Sequence, residues 1–220
     1  MKGSKRLGAA LAALLFTAVS AGAALSLGAS LPDGARMHRS FDAFKRALAE
    51  RDGGAAVALL SAASLEEWAA ERELALHGSR AAIEALPPGR RLAVLALRNA
   101  QPVFLLRGGP PPELVAAAVR AGLADPALLD AVELGDIARL AADRASGLML
   151  AAGLPSGFRA GFVLERGDWR LDLPSSLVSA GRVVSQTARA TGLDETAVIL
   201  NLIGAAGGEP VGPSIWNPLL

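Results

Sequence analysis

The sequence predicts an α+β fold, with N-terminal helices packed on an antiparallel β-meander and additional helices after it. Three observations carry this. In Phe158–Leu173, residues Phe158, Ala160, Phe162 and Leu164 alternate with Arg159, Gly161, Val163 and Glu165. After Arg166-Gly167, Trp169, Leu171 and Leu173 alternate with Asp168, Arg170 and Asp172. Period-two alternation on both sides of a short Gly-containing turn signals a hairpin with one buried face. Upstream the apolar residues recur at helical spacing, and downstream they do so again. Helices followed by a run of strands place the helices on one face of the sheet.

Residues 1–30 come first and read as a targeting segment. Basic Met1–Arg6 precedes apolar Leu7–Val19, and small residues follow, with Ala21-Gly22-Ala23 as an A-x-A cleavage site. This is the plan of a secretory signal peptide. The alternative is an uncleaved membrane anchor, because the apolar run Leu7–Leu31 is long enough to span a bilayer, which needs roughly 20 residues. The expected location is accordingly exported, periplasmic or extracellular, with inner-membrane anchoring as the alternative. Residues 31–220 then form one α+β domain, with a core over 37–173 and a helical extension over 174–220.

Met37, Phe41, Phe44 and Leu48 mark an amphipathic helix that Asp52-Gly53-Gly54 ends. His38 is placed just before it. A short helix over Ala55–Leu60 follows, and Ser64-Leu65-Glu66-Glu67 reads as a capping box. The helix it opens carries Leu65, Trp68, Arg72 and Leu76 along one face and stops near His77-Gly78. Glu66, Glu67, Glu71 and Glu73, with Arg72, read as its solvated face. Ser79–Leu86 is a further short helix ended by Pro87-Pro88-Gly89. Arg91–Arg98 is apolar nearly all round and suits a buried helix or a strand; its Leu and Ala content favours helix. Prolines and Glu113 at the start and Gly122 past the end mark a helix over Glu113–Ala121.

Val132–Leu140, Ala145–Ala151, Phe158–Arg166 and Asp168–Leu173 are the four expected strands; the first also suits a helix. Gly153–Gly157 is read as a turn and lacks the Gly-x-Ser-x-Gly order of a nucleophile elbow. Ser175–Arg189 and Asp194–Ile203 return to helix, with Asp194 as N-cap. The tail Pro213–Pro218 is extended.

Composition excludes several chemistries. The chain has 220 residues, no cysteine and no tyrosine. No disulfide framework, thiolate nucleophile or cysteine-based metal site is therefore available. The three cations of the first six residues, taken from a formal net charge of +1, leave a body of −2. That is not the basic footprint of a nucleic-acid binder. No glycine-rich phosphate loop occurs, and no convergent His or carboxylate cluster suggests a metal, so no cofactor is expected.

Phe41–Ser61 (FDAFKRALAERDGGAAVALLS) and Glu165–Leu173 (ERGDWRLDL) resemble the opening helices and the closing hairpin of the nuclear transport factor two-like superfamily, the cystatin-like cone folds. The similarity spans roughly Met37–Leu173. The helical material between Ser79 and Leu123 and the C-terminal helices depart from it. The resemblance implies a curved sheet that curls round the helices and leaves an apolar cone open at one end. Some members of that superfamily are isomerases, cyclases or dehydratases, and others hold ligands or mediate assembly.

The candidate chemistry is sparse. Asp136 shares its strand face with Val132, Leu134 and Ala138, so alternation aims it into the cone as a general base. His77 at a helix end is the second catalytic candidate, ahead of His38. Asp168 and Asp172 lie opposite Trp169 and read as solvent-facing partners of arginines. Trp68, Phe162 and Trp169 are core aromatics and the candidates for lining a ligand. Trp216, between prolines, is an anchor for the tail or for a partner protein. The expected function is an exported non-enzymatic domain that binds an apolar small molecule or mediates envelope assembly. The alternatives are a small-molecule isomerase or cyclase of the ketosteroid-isomerase type and a membrane-anchored interaction module. The partners are then an apolar small molecule, a protein partner or a second copy, with no nucleic acid, and a membrane only through an uncleaved N-terminal segment.

Overall fold

A computed structural model describes residues 32–100, 108–122 and 129–220. The expected signal peptide or anchor over residues 1–30 lies outside the described residues. Helix α1 (Pro32–Ala49) starts five residues ahead of Met37, with Pro32 at its head and Asp33 in its first turn, both favourable where backbone N–H groups are free. His38 therefore lies inside the helix and not before it.

Asp52-Gly53-Gly54 opens a helix instead of merely ending one. The Asp52 side chain accepts from Ala55 N at 2.9 Å and caps α2 (Gly53–Ala58). Helix α3 (Ala62–His77) is capped by Ser61, whose hydroxyl accepts from Ser64 N at 3.0 Å. The cap thus sits three residues ahead of the expected box at Ser64. Helix α4 (Arg80–Glu84) is capped by Ser79, and Pro88-Gly89 form the first turn of α5 (Pro88–Ala100), which contains Arg91–Arg98. Helix α6 (Pro111–Arg120) carries prolines and Glu113 in its first turn, as expected.

The sheet has the order β1-β2-β3-β4, all antiparallel, from β1 (Val132–Arg139), β2 (Arg144–Ala151), β3 (Leu154–Glu165) and β4 (Asp168–Asp172). Two turns have positive φ at both central residues, Ala152-Gly153 (50° and 76°) and Arg166-Gly167 (53° and 87°), the backbone that two-residue hairpins favour. The first is shorter than the turn read over Gly153–Gly157, because Leu154 already begins β3. That strand bulges between Pro155 and Arg159, where Gly157 has φ +79°.

Helix α7 (Leu173–Thr191) follows β4 directly and α8 (Glu195–Gly207) is capped by Asp194, as expected. Where β4 stops, β3 still presents amides, and α7 accepts from them. Ser176 Oγ accepts from Gly161 N and Ser179 Oγ from Arg159 N, each at 2.9 Å. The free edge of β4 is covered in turn, with Leu171 N donating to Leu59 O and Ser61 N to Leu171 O, both at 2.9 Å. Helix α1 reaches both edge strands: Ser40 donates to the Trp169 carbonyl in β4 and Lys45 to the Val132 carbonyl in β1.

Among the described residues two apolar clusters result. The larger joins Met37, Phe41, Leu92, Leu95, Phe158, Phe162, Trp169 and Ile199. The smaller joins Leu48, Ala56, Val115, Val119 and Leu129, with Phe44, Leu60 and Trp68 against it. Contrary to the extended expectation, the tail forms a 3₁₀ turn, Pro213–Trp216, with Ile215 buried.

Candidate functional site

A cavity of about 150 Å³ lies where the two clusters meet. Phe41, Ala96, Leu97, Met149 and Phe158 come to it from the larger cluster, and Leu48, Val115, Val119 and Trp68 from the smaller. Interior spaces of this size lined by aliphatic and aromatic groups stay dry and admit a benzene-sized molecule.

Four polar side chains also line it: Lys45, Glu71, Arg159 and Ser176. Three of them are engaged elsewhere. Lys45 donates to the Val132 carbonyl, Arg159 donates through Nε to Ser146 Oγ at 2.9 Å, and Ser176 donates to the Asp172 carbonyl at 2.9 Å. Glu71 differs. Its side chain is 1% exposed, Oε1 accepts from Arg90 Nε at 2.6 Å, and Oε2 is buried without a hydrogen-bond partner.

The local sequence explains how a glutamate comes to be there. Because α3 begins at Ala62, its buried stripe is Ser64, Glu71 and Ala75, with Trp68 half-buried between them. Ser64 is drawn in by the sheet, donating to Leu171 O at 3.0 Å and accepting from Leu173 N at 2.7 Å. Helical spacing then carries Glu71 inward two turns later. This corrects the solvated acidic face read for Glu66, Glu67, Glu71 and Glu73: Glu71 is buried and Glu67 is only 21% exposed.

Arg90 stands between these acids, with Nε 2.7 Å from Glu67 Oε1 and 2.6 Å from Glu71 Oε1. It is held there by a backbone contact. A Cβ on Gly89 would fall 1.9 Å from the Leu177 carbonyl oxygen, so only glycine lets α5 meet α7 so closely. Burial, and then the neighbouring Glu67 carboxyl, push the Glu71 pKa up to about 8. Glu71 therefore carries a proton at neutral pH.

The residues singled out from sequence scatter around this site. Trp68 lines the cavity, whereas Phe162 and Trp169 sit in the larger cluster, away from its wall. Trp169 stacks under the Arg139 guanidinium at 5.0 Å. Asp136 is exposed, which corrects the inward placement. The β1–β2 register shifts between Leu134 and Ile137, and this bulge turns Ile137 toward the core in place of Asp136. Asp172 is buried and not solvent-facing. It caps α7 through Ser175 N at 3.3 Å and accepts from Ser61 Oγ at 3.2 Å. Asp168 is exposed and lies 3.9 Å from Arg36. His77 is 57% exposed at the end of α3, 3.8 Å from Glu73. Trp216 lies under Arg80 at 4.8 Å, and its carbonyl accepts from Arg98 at 2.9 Å.

Glu67, Glu71 and Arg90 were not singled out from sequence. The available signal was the small-residue stripe Ser64 and Ala75 flanking Glu71 at helical spacing. Among the described residues no group of three or more His, Asp or Glu is arranged to hold a metal, and no helix is long and apolar enough to cross a membrane. No protein-family model, curated protein or solved structure matches the chain.

Proposed function

We propose that the chain is an exported, non-enzymatic protein that holds one small, largely apolar molecule between its helices and its sheet. The observation that carries this is the cavity itself: an interior space whose wall is almost wholly apolar, with a single acid that has an unengaged oxygen. Well-packed interiors leave few such spaces. Export rests on the basic, apolar and small-residue order of residues 1–30. The resemblance to the nuclear transport factor two-like superfamily implies an apolar interior of this kind between helices and sheet.

The test is calorimetric titration of the purified protein with toluene, beside the variant Ala96→Leu. Ala96 lines the cavity and is 1% exposed. The wild type is expected to bind toluene. Ala96→Leu, which fills the space, is expected to lose binding while keeping or raising its melting temperature. A wild type that takes up no toluene would contradict the proposal.

A further inference from the structure

The geometry points to a ligand that is neutral and carries a hydrogen-bond-accepting oxygen, as a small cyclic ketone does, and to Glu71 Oε2 as the donor to that oxygen. This rests on the reading of the cavity as a ligand site and adds the ligand's chemistry. Oε1 is already occupied by Arg90 at 2.6 Å, Oε2 receives no donor, and the Glu67 carboxyl, which also hydrogen-bonds with Glu71, is the competitor that a ligand oxygen displaces. A buried polar atom without a partner is costly, and a ligand that supplies the partner removes that cost. A charged ligand would leave water for a wall that is almost wholly apolar, and a cationic one would also meet Lys45 and Arg159. A neutral acceptor avoids both costs.

Donation requires the proton on Glu71, which burial and the adjacent Glu67 hold there at neutral pH. The charged groups facing Glu71 are Glu67 on its own helix and Arg90 from α5. Lys45 of α1 and Arg159 of β3 line the cavity but are engaged by Val132 and Ser146, and α6 and α7 contribute only uncharged residues such as Val115, Val119, Ser176 and Leu177.

The experiment uses two probes of one shape, cyclohexanone and methylenecyclohexane, in which a CH₂ replaces the ketone oxygen. Their affinities are measured at pH 6.5 and 9.5 for the wild type, Glu71→Gln and Glu71→Met. The ratio of ketone to hydrocarbon affinity is expected to fall about tenfold in Glu71→Met, the effect of losing one buried hydrogen bond. It should fall similarly in the wild type at pH 9.5, where Glu71 has lost its proton. Glu71→Gln keeps an N–H donor, so its ratio should stay near the wild-type value at both pH values. A ratio unchanged in Glu71→Met assigns the proton to the Glu67–Glu71 pair alone and overturns the inference, while hydrocarbon binding leaves the cavity reading standing. Should Glu71→Met not fold, a wild-type ratio constant between the two pH values overturns it equally. Failure of both probes to bind overturns the inference and the cavity reading together.

Discussion

Glu71 ties the protein's stability to pH in a direction opposite to that of an ordinary paired carboxylate. Its folded pKa is raised to about 8 from the usual 4.5. Between those values the folded chain keeps a proton that the unfolded chain has lost, so Glu71's contribution to stability falls as pH rises. The slope from one such group is at most about 1.4 kcal/mol per pH unit. Urea midpoints measured at pH 5.5 and 7.5 should therefore fall more steeply for the wild type than for Glu71→Gln; parallel slopes would place the proton elsewhere. Arg98 is a buried cation with a structural task. It donates to the carbonyls of Leu74, Ala75 and Gly78 at the end of α3 and to those of Ile215 and Trp216 in the tail. Arg98→Met removes the guanidinium donor from these carbonyls, of which Leu74 O keeps Gly78 N, and should cost on the order of 3 kcal/mol, read as a lower melting temperature. Neither residue was legible in sequence. A charge flanking an apolar run, or one acid among four on a helix, looks solvated until the neighbouring chain shows what covers it.

At the scale of elements, the sequence was most informative where local rules act alone. The type of β3 and β4, the Arg166-Gly167 turn and the Asp194 cap follow from alternation, positive-φ turn chemistry and capping, whereas β1 also suited a helix. The errors arise where a distant partner decides. Ser64 looks like a cap, yet its hydroxyl is taken by Leu171 and Leu173, more than a hundred residues away. Asp136 looks inward until the bulge in β1 reverses the alternation. The Gly89 contact between α5 and α7 is of the same kind, since only the folded chain shows the Leu177 carbonyl against it. Gly89→Ala should therefore destabilise the protein by about 1–3 kcal/mol through overpacking. Gly54→Ala is the control. Its added Cβ would meet nothing closer than Asp52 Oδ1 at 3.5 Å, and in α2 alanine should be neutral or stabilising by up to about 1 kcal/mol. Denaturant midpoints of the two variants separate these outcomes.

At the scale of the molecule, the α+β class was readable because the order of periodicities determines the layers. The interior space was not, because it belongs to no single element. It arises where a cluster built by α1, α5, the sheet and α7 meets a second built by the end of α1, α2 and α6. Each helix or strand shows an ordinary apolar face, and only their mutual distance leaves room between them. The account stands on that room being real. A crystal of the protein pressurised with xenon tests it most directly, since xenon settles in empty apolar cavities. The account predicts a xenon atom between Phe41, Ala96, Val115 and Trp68, beside the Glu71 carboxyl. Side chains packed across that space, with no xenon among them, would contradict it.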